Sequence, residues 1–222
     1  MVGLESQLKL KLMGPPEVRL GDKSLKFPTR KTLALLIYLA LEGGEQPRDL
    51  LATLLWPESN QGRSYASLRN TLSHLQSSLS EAYELAQTSF LAVTHSALAL
   101  NPDADIQLDL RTVEEAYALA RAERSSRAPQ QNLDSLPLLQ EAAAYHRGDF
   151  LAGFSLGDAP TFDDWVDALR EAVGRGANQD ERRAQSGRVK HEDWAYRCAD
   201  IARLVDDAVG TSTVAARRKT GS

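Results

Sequence analysis

From Leu8 the chain alternates apolar and polar residues as LKLKL, and the alternation resumes at Glu17 through VRLGDKSLKF. A period of two marks short strands with one buried face, and Gly14-Pro15-Pro16 and Gly21-Asp22 read as the turns between antiparallel neighbours. The period then lengthens. Leu33, Leu36, Ile37, Ala40 and Leu41 recur at helical spacing after Thr29, a residue type suited to capping, and the pattern stops at Gly43-Gly44. This predicts a mostly buried helix. Pro47 falls where a first helical turn tolerates proline, and Leu50, Leu51, Leu54 and Leu55 form a second apolar stripe that Pro57 ends.

A loop, Trp56 to Gly62, precedes a third helix whose Tyr65, Leu68, Leu72, Leu75 and Leu79 gather on one side of a helical wheel. Arg63, Ser67, Asn70, His74 and Ser77 fall on the opposite side, with Arg69 on the flank. Next come FLAV, the turn-like THSA and LALNP, a β-hairpin pattern. Strands, three helices and a hairpin predict a winged helix-turn-helix over residues 1–108.

From Asp109 the pattern is helical, with Leu110, Val113, Ala116, Tyr117 and Ala120 on one face and a second run through Leu138, Leu139, Ala142 and Tyr145. The polar stretch Glu123 to Asp134 connects them. Thr161 and Asp164 have capping-box spacing ahead of Phe162, Trp165, Val166, Leu169 and Val173, so another helix is expected there. Residues 109–173 read as a partial helical domain. After Val173 large apolar residues thin out, and only Trp194 to Val205 could supply a capping helix in the divergent tail, 174–222. The expected class is mainly α with small antiparallel β elements.

Charge sharpens this picture. The chain has a formal net charge of −4, but residues 1–101 hold ten Lys/Arg against nine Asp/Glu, 102–173 hold six against fourteen, and 174–222 hold ten against seven. An acidic middle therefore hides basic patches at Arg19 to Lys31 and along the third helix, where Gln61 to Ser80 carries no acid. Arginine and asparagine match the hydrogen-bonding edges of guanine and adenine, and basic and hydroxyl side chains suit phosphates. The plain alternative is that this is the solvated face of an amphipathic helix.

Other chemistry has little support. No Gly-rich phosphate loop, His-Glu-x-x-His or Gly-x-Ser-x-Gly is present, so an enzyme is not expected, nor is a cofactor. Cys198 is the single cysteine and has no partner for a disulfide or thiolate site. Asp163, Asp164 and Asp167 fit the positive end of a helix better than a metal site. No apolar run is long enough to span a membrane, and the N-terminus lacks an export signal, so a cytoplasmic protein is expected.

Several stretches resemble bacterial regulators of the antibiotic-regulatory-protein type, which join an OmpR-type winged helix to a bacterial transcriptional activator domain. They are FPTRKTLALLIYLAL at Phe27 to Leu41, LLWPES at Leu54 to Ser59, SLRNTLSHLQSSL at Ser67 to Leu79, LDLRTVEEAYALA at Leu108 to Ala120, YHRGDFLAGF at Tyr145 to Phe154 and FDDWVDALRE at Phe162 to Glu171. The likeness spans roughly residues 8–173 and fails beyond, as in a truncated or divergent relative. It implies tetratricopeptide-like stacking after residue 108. It also implies a third helix in the major groove and a loop, with Glu58, Ser59 and Asn60, facing RNA polymerase. Gln76 stands where related sequences often have a second arginine.

The resulting expectation is a DNA-binding transcriptional regulator that associates with itself on repeated half-sites of double-stranded DNA. Arg63, Ser67, Asn70 and His74 would meet bases, and Arg69, Arg30 and Lys31 phosphates. The alternative is a protein-interaction module that has lost DNA binding.

Overall fold

The computed structural model of the chain describes residues 7–112 and 147–175. Of these, 7–10, 17–107 and 153–167 make one compact unit, and 11–16, 108–112, 147–152 and 168–175 a second. The winged-helix expectation ended at residue 108; the first unit also takes in 153–167.

The alternating segments form strands β1 (Leu8–Lys11), β2 (Glu17–Leu20) and β3 (Lys23–Ser24), which join β7 (Ile106–Leu108) in a sheet of order β3-β2-β1-β7. Strands β2 and β3 are antiparallel, with Leu20 opposite Lys23. Leu8, Leu10, Val18 and Leu20 are buried, as a period of two requires when one face meets the core. Strand β7 is too short to reveal itself by alternation.

Helix α1 (Arg30–Glu42) begins at Thr29, whose hydroxyl accepts the Thr32 N–H at 3.1 Å, and ends at Gly43, whose φ of 63° favours glycine. Every residue from Ala34 to Leu41 is buried. Helix α2 (Arg48–Leu55) buries Leu51, Leu54 and Leu55 but leaves Leu50, one step off that stripe, 43% exposed. Pro47 lies outside the helix. It closes the two-residue edge strand β4 (Gln46–Pro47), where a missing N–H is tolerated.

Helix α3 (Gln61–Ser78) is followed without a loop by α4 (Ser80–Ala86), a short helix that the periodicity did not mark. Strands β5 (Leu91–Val93) and β6 (Ala97–Leu100) form the expected antiparallel hairpin, and β4 pairs with β6 to give the order β4-β6-β5.

Helix α5 (Pro160–Arg175) starts differently from the expected capping box, since Thr161 lies inside it. Proline holds the first position, where its absent N–H is not missed. Asp163, in the first turn, uses its carboxylate to accept the N–H groups of Leu156 at 2.7 Å and Gly157 at 2.9 Å. Its charge is thus spent on a turn as well as on the helix end.

The second unit is organised by Asp109, which is only 2% exposed. Its Oδ2 accepts the N–H groups of Leu12 at 2.7 Å and Met13 at 2.8 Å, and Oδ1 that of Leu110 at 2.9 Å. Burial, outweighing those hydrogen bonds and the nearby Arg147 charge, raises this carboxyl to about 6. The Arg147 guanidinium donates to Lys11 O and Pro15 O, both at 3.1 Å. Gly14, at φ 115°, lets the chains approach: a Cβ there would stand 2.9 Å from Arg147 Cβ. The backbone is helical at 109–112. The expected helices through Ala120, from Leu138 to Tyr145 and from Trp194 to Val205 fall outside the described residues, as does the Glu123 to Asp134 connection.

Candidate nucleic-acid interface

Trp56 ends α2 by donating its N–H to Ala52 O at 3.0 Å, and helix α3 starts only five residues later. The connection is therefore 56–60, shorter than the expected Trp56 to Gly62. Asn60, expected as a loop contact, is the N-cap of α3: its Oδ1 accepts the Arg63 N–H at 3.0 Å. Glu58 is exposed and Ser59 half-buried.

One side of α3 is sealed by Ser64, Leu68, Thr71, Leu72 and Leu75, with Leu79 buried just beyond. Tyr65 is only half-buried, and its hydroxyl donates to the Asp49 carboxylate of α2 instead of joining the leucines in the core. On the other side Arg63, Arg69, Asn70 and His74 are exposed and Ser67 half-buried. Among the described residues the side chains of Arg63, Arg69, Asn70 and His74 have no hydrogen-bond or ion-pair partner. The helix thus presents two guanidinium groups, an amide and an imidazole to solvent.

Arg30 and Lys31 are placed otherwise. The Arg30 guanidinium donates to Gly153 O at 2.9 Å and lies 5.1 Å from the centre of the Phe154 ring. Lys31 Nζ pairs with Asp158 Oδ2 at 2.8 Å and sits 5.1 Å from the Trp56 ring centre, with its side chain 15% exposed. Both cations hold the 153–158 segment to the start of α1. Lys31 is thus neutralised by a carboxylate and has less to offer a phosphate, whereas Arg30 meets only a carbonyl and a ring face and keeps its charge at an exposed position.

Arg48 is a residue that sequence reasoning missed. Its guanidinium donates twice to Thr94 O, at 3.1 and 2.9 Å, and its N–H donates to Ser96 O at 2.9 Å. The first residue of α2 thereby fixes the turn of the hairpin. Nothing local foretells a contact across 46 residues; the only hint was an arginine directly after Pro47.

With the order of helices α1 to α4 and the β5–β6 hairpin established, the chain can be compared with known proteins. No protein-family model matches it, and no curated protein matches it in sequence. Among solved structures it is similar to Mycobacterium tuberculosis EmbR in complex with a low-affinity phosphopeptide, with a TM-score of 0.55 and 22% identity. The match covers 96% of this chain and 58% of that one, so this chain spans little more than half the length of that structure. At such identity the likeness is one of fold. No helix among the described residues is long and apolar enough to cross a membrane.

Proposed function

We propose that this chain is a sequence-specific DNA-binding transcriptional regulator, with α3 as the element that enters the major groove. The observation that carries the reading is the contrast between the two sides of α3. One is sealed in the core, and the other exposes Arg63, Arg69, Asn70 and His74 without a carboxylate anywhere from Gln61 to Ser80. Arg63, Ser67, Asn70 and His74 contact base edges, and Arg69 binds phosphate. The hairpin turn, anchored by Arg48, lies next in the chain after the α3–α4 segment and steadies the module.

The finer parts of the reading follow from it. A single module neutralises few phosphates, so useful affinity requires two copies on repeated half-sites. Glu58 and Ser59, between α2 and α3, form the surface offered to RNA polymerase, and Asn60 serves that surface by capping α3. The helical residues after 108 supply partner or dimer contacts through tetratricopeptide-like stacking, in a bacterial cytoplasmic protein. The fold-level likeness to a structure of EmbR supports this architecture.

The test is a salt titration of binding to random and to selected DNA. Phosphate contacts release counterions, so log K should fall with log salt by about 0.9 per phosphate engaged. Absent or salt-independent binding would favour a protein-interaction module without DNA binding. That second reading draws on one observation: Arg30 and Lys31, at the start of α1, are already engaged by Gly153, Phe154 and Asp158.

A further inference from the structure

Between α2 and the first turns of α3 lies an open cleft of about 240 Å³, whose lining includes Asp49, Thr53, Trp56, Pro57, Ser59 and Tyr65. Pockets for drug-sized ligands begin near roughly 300 Å³, so this one suits a single side chain. Its lining has one ionised group, the Asp49 carboxylate, and no Lys, Arg or His. Tyr65 donates to Asp49 Oδ1, which leaves Oδ2 without a partner among the described residues. Trp56 and Tyr65 add aromatic surface. Lys31, over the Trp56 ring, is committed to Asp158 and is not part of the lining.

We infer that this cleft receives an arginine side chain from a protein partner. A carboxylate with an open oxygen, in a cleft that two aromatic residues also line, attracts a cation, and the same carboxylate repels a phosphate. The cleft is therefore distinct from the acid-free face of α3. A guanidinium is favoured over an ammonium because it is planar, stacks on rings and offers paired donors to a carboxylate, with the Ser59 and Thr53 hydroxyls as further acceptors. One side chain binds too weakly to act alone, so it arrives on a larger surface.

The experiment uses the full chain labelled with 15N at its tryptophan indoles, with the Trp56 signal assigned through Trp56→Phe. N-acetyl-arginine methylamide is the probe, and its neutral citrulline counterpart and tetramethylammonium are the controls. The arginine compound should shift the Trp56 signal saturably, more tightly than either control, and Asp49→Asn should weaken it about tenfold with the circular dichroism spectrum unchanged. No saturable shift by about 50 mM, a range that still detects a single weak contact, would overturn the inference. Equal binding of citrulline or an undiminished response in Asp49→Asn would do the same. Tighter binding of tetramethylammonium would reassign the cleft to a small organic cation. DNA is absent throughout, so the outcome is independent of whether α3 enters a groove.

Discussion

The indole Nε1 of Trp165 donates to Glu42 Oε1 at 2.8 Å, joining residues 123 positions apart at the end of α1. The Trp165 ring also lies 4.9 Å from Tyr38 and 5.3 Å from Phe162, centre to centre. The segment after Gly153 is thus part of the structure that positions α1, whose neighbour is α3.

Replacing Trp165 tests that dependence. Trp165→Phe keeps a ring but loses the hydrogen bond, and should cost roughly 1 kcal/mol. Trp165→Ala also loses the ring contacts, and because Trp165 is only half-buried it should cost roughly 2 to 3 kcal/mol, below the range for a fully enclosed tryptophan. Urea unfolding followed by far-ultraviolet circular dichroism checks both values. A stability unchanged in Trp165→Ala would show that α1 does not depend on this helix.

On α3 the two sides predict opposite phenotypes. Arg63→Ala and Asn70→Ala should each weaken binding to a selected DNA site by roughly 1 to 3 kcal/mol while leaving the melting temperature nearly unchanged. Leu68→Ala, at a fully buried position, should lower stability by roughly 2 to 5 kcal/mol. Fluorescence anisotropy with parallel calorimetry separates the effects. Wild-type DNA binding by both polar variants would remove α3 from the interface.

Asn60 and Glu58 should part company although they are two residues apart. Asn60→Ala removes the acceptor of the Arg63 N–H and should destabilise α3 by about 1 kcal/mol, with some loss of DNA affinity. Glu58→Ala has no such structural cost and should lower transcription from a dependent promoter at unchanged DNA affinity. Thermal melts, DNA titrations and a reporter assay on the same variants decide it. Equal loss of DNA binding in Glu58→Ala would make the loop part of the DNA surface.

The buried carboxyl of Asp109 sets a pH signature. Its folded value, about 6, lies above the usual 3.8, so the native state holds its proton more tightly than the unfolded chain. Its contribution is therefore fully present below about 4, declines as pH rises to about 6 and is flat above, a span worth about 3 kcal/mol. Wild type should gain stability relative to Asp109→Asn as pH falls from 7 to 4, measured by urea midpoints. A pH-independent difference would mean that burial does not raise this group.

The readable parts of the sequence were those in which neighbours along the chain share an environment. The leucines of α1 and α3, the alternation of β1 and β2, Thr29 as a cap and the β5–β6 hairpin all follow from local period and turn chemistry. Asp109 looked like an ordinary helix-start residue, yet its partners are Leu12 and Met13, some 97 positions away. Tyr65 fitted the leucine stripe by angle, but its hydroxyl found Asp49 outside the core. Arg30 and Lys31 were legible as cations; that Gly153, Phe154 and Asp158 would engage them depends on chain closure that no local pattern records.

The union of 17–107 with 153–167 in one unit also bears on how the protein is made. During synthesis, at roughly 5 to 20 residues per second, the stretch from 108 to 167 takes on the order of 3 to 12 s to emerge. Throughout that interval α1 waits without Trp165 and Asp158, and its Lys31 and Glu42 ends lack the contacts that those residues bring. A nascent chain paused within this window should be more sensitive to protease than one released past Arg175, making the completion of α5 a late, timed step in the maturation of the first unit.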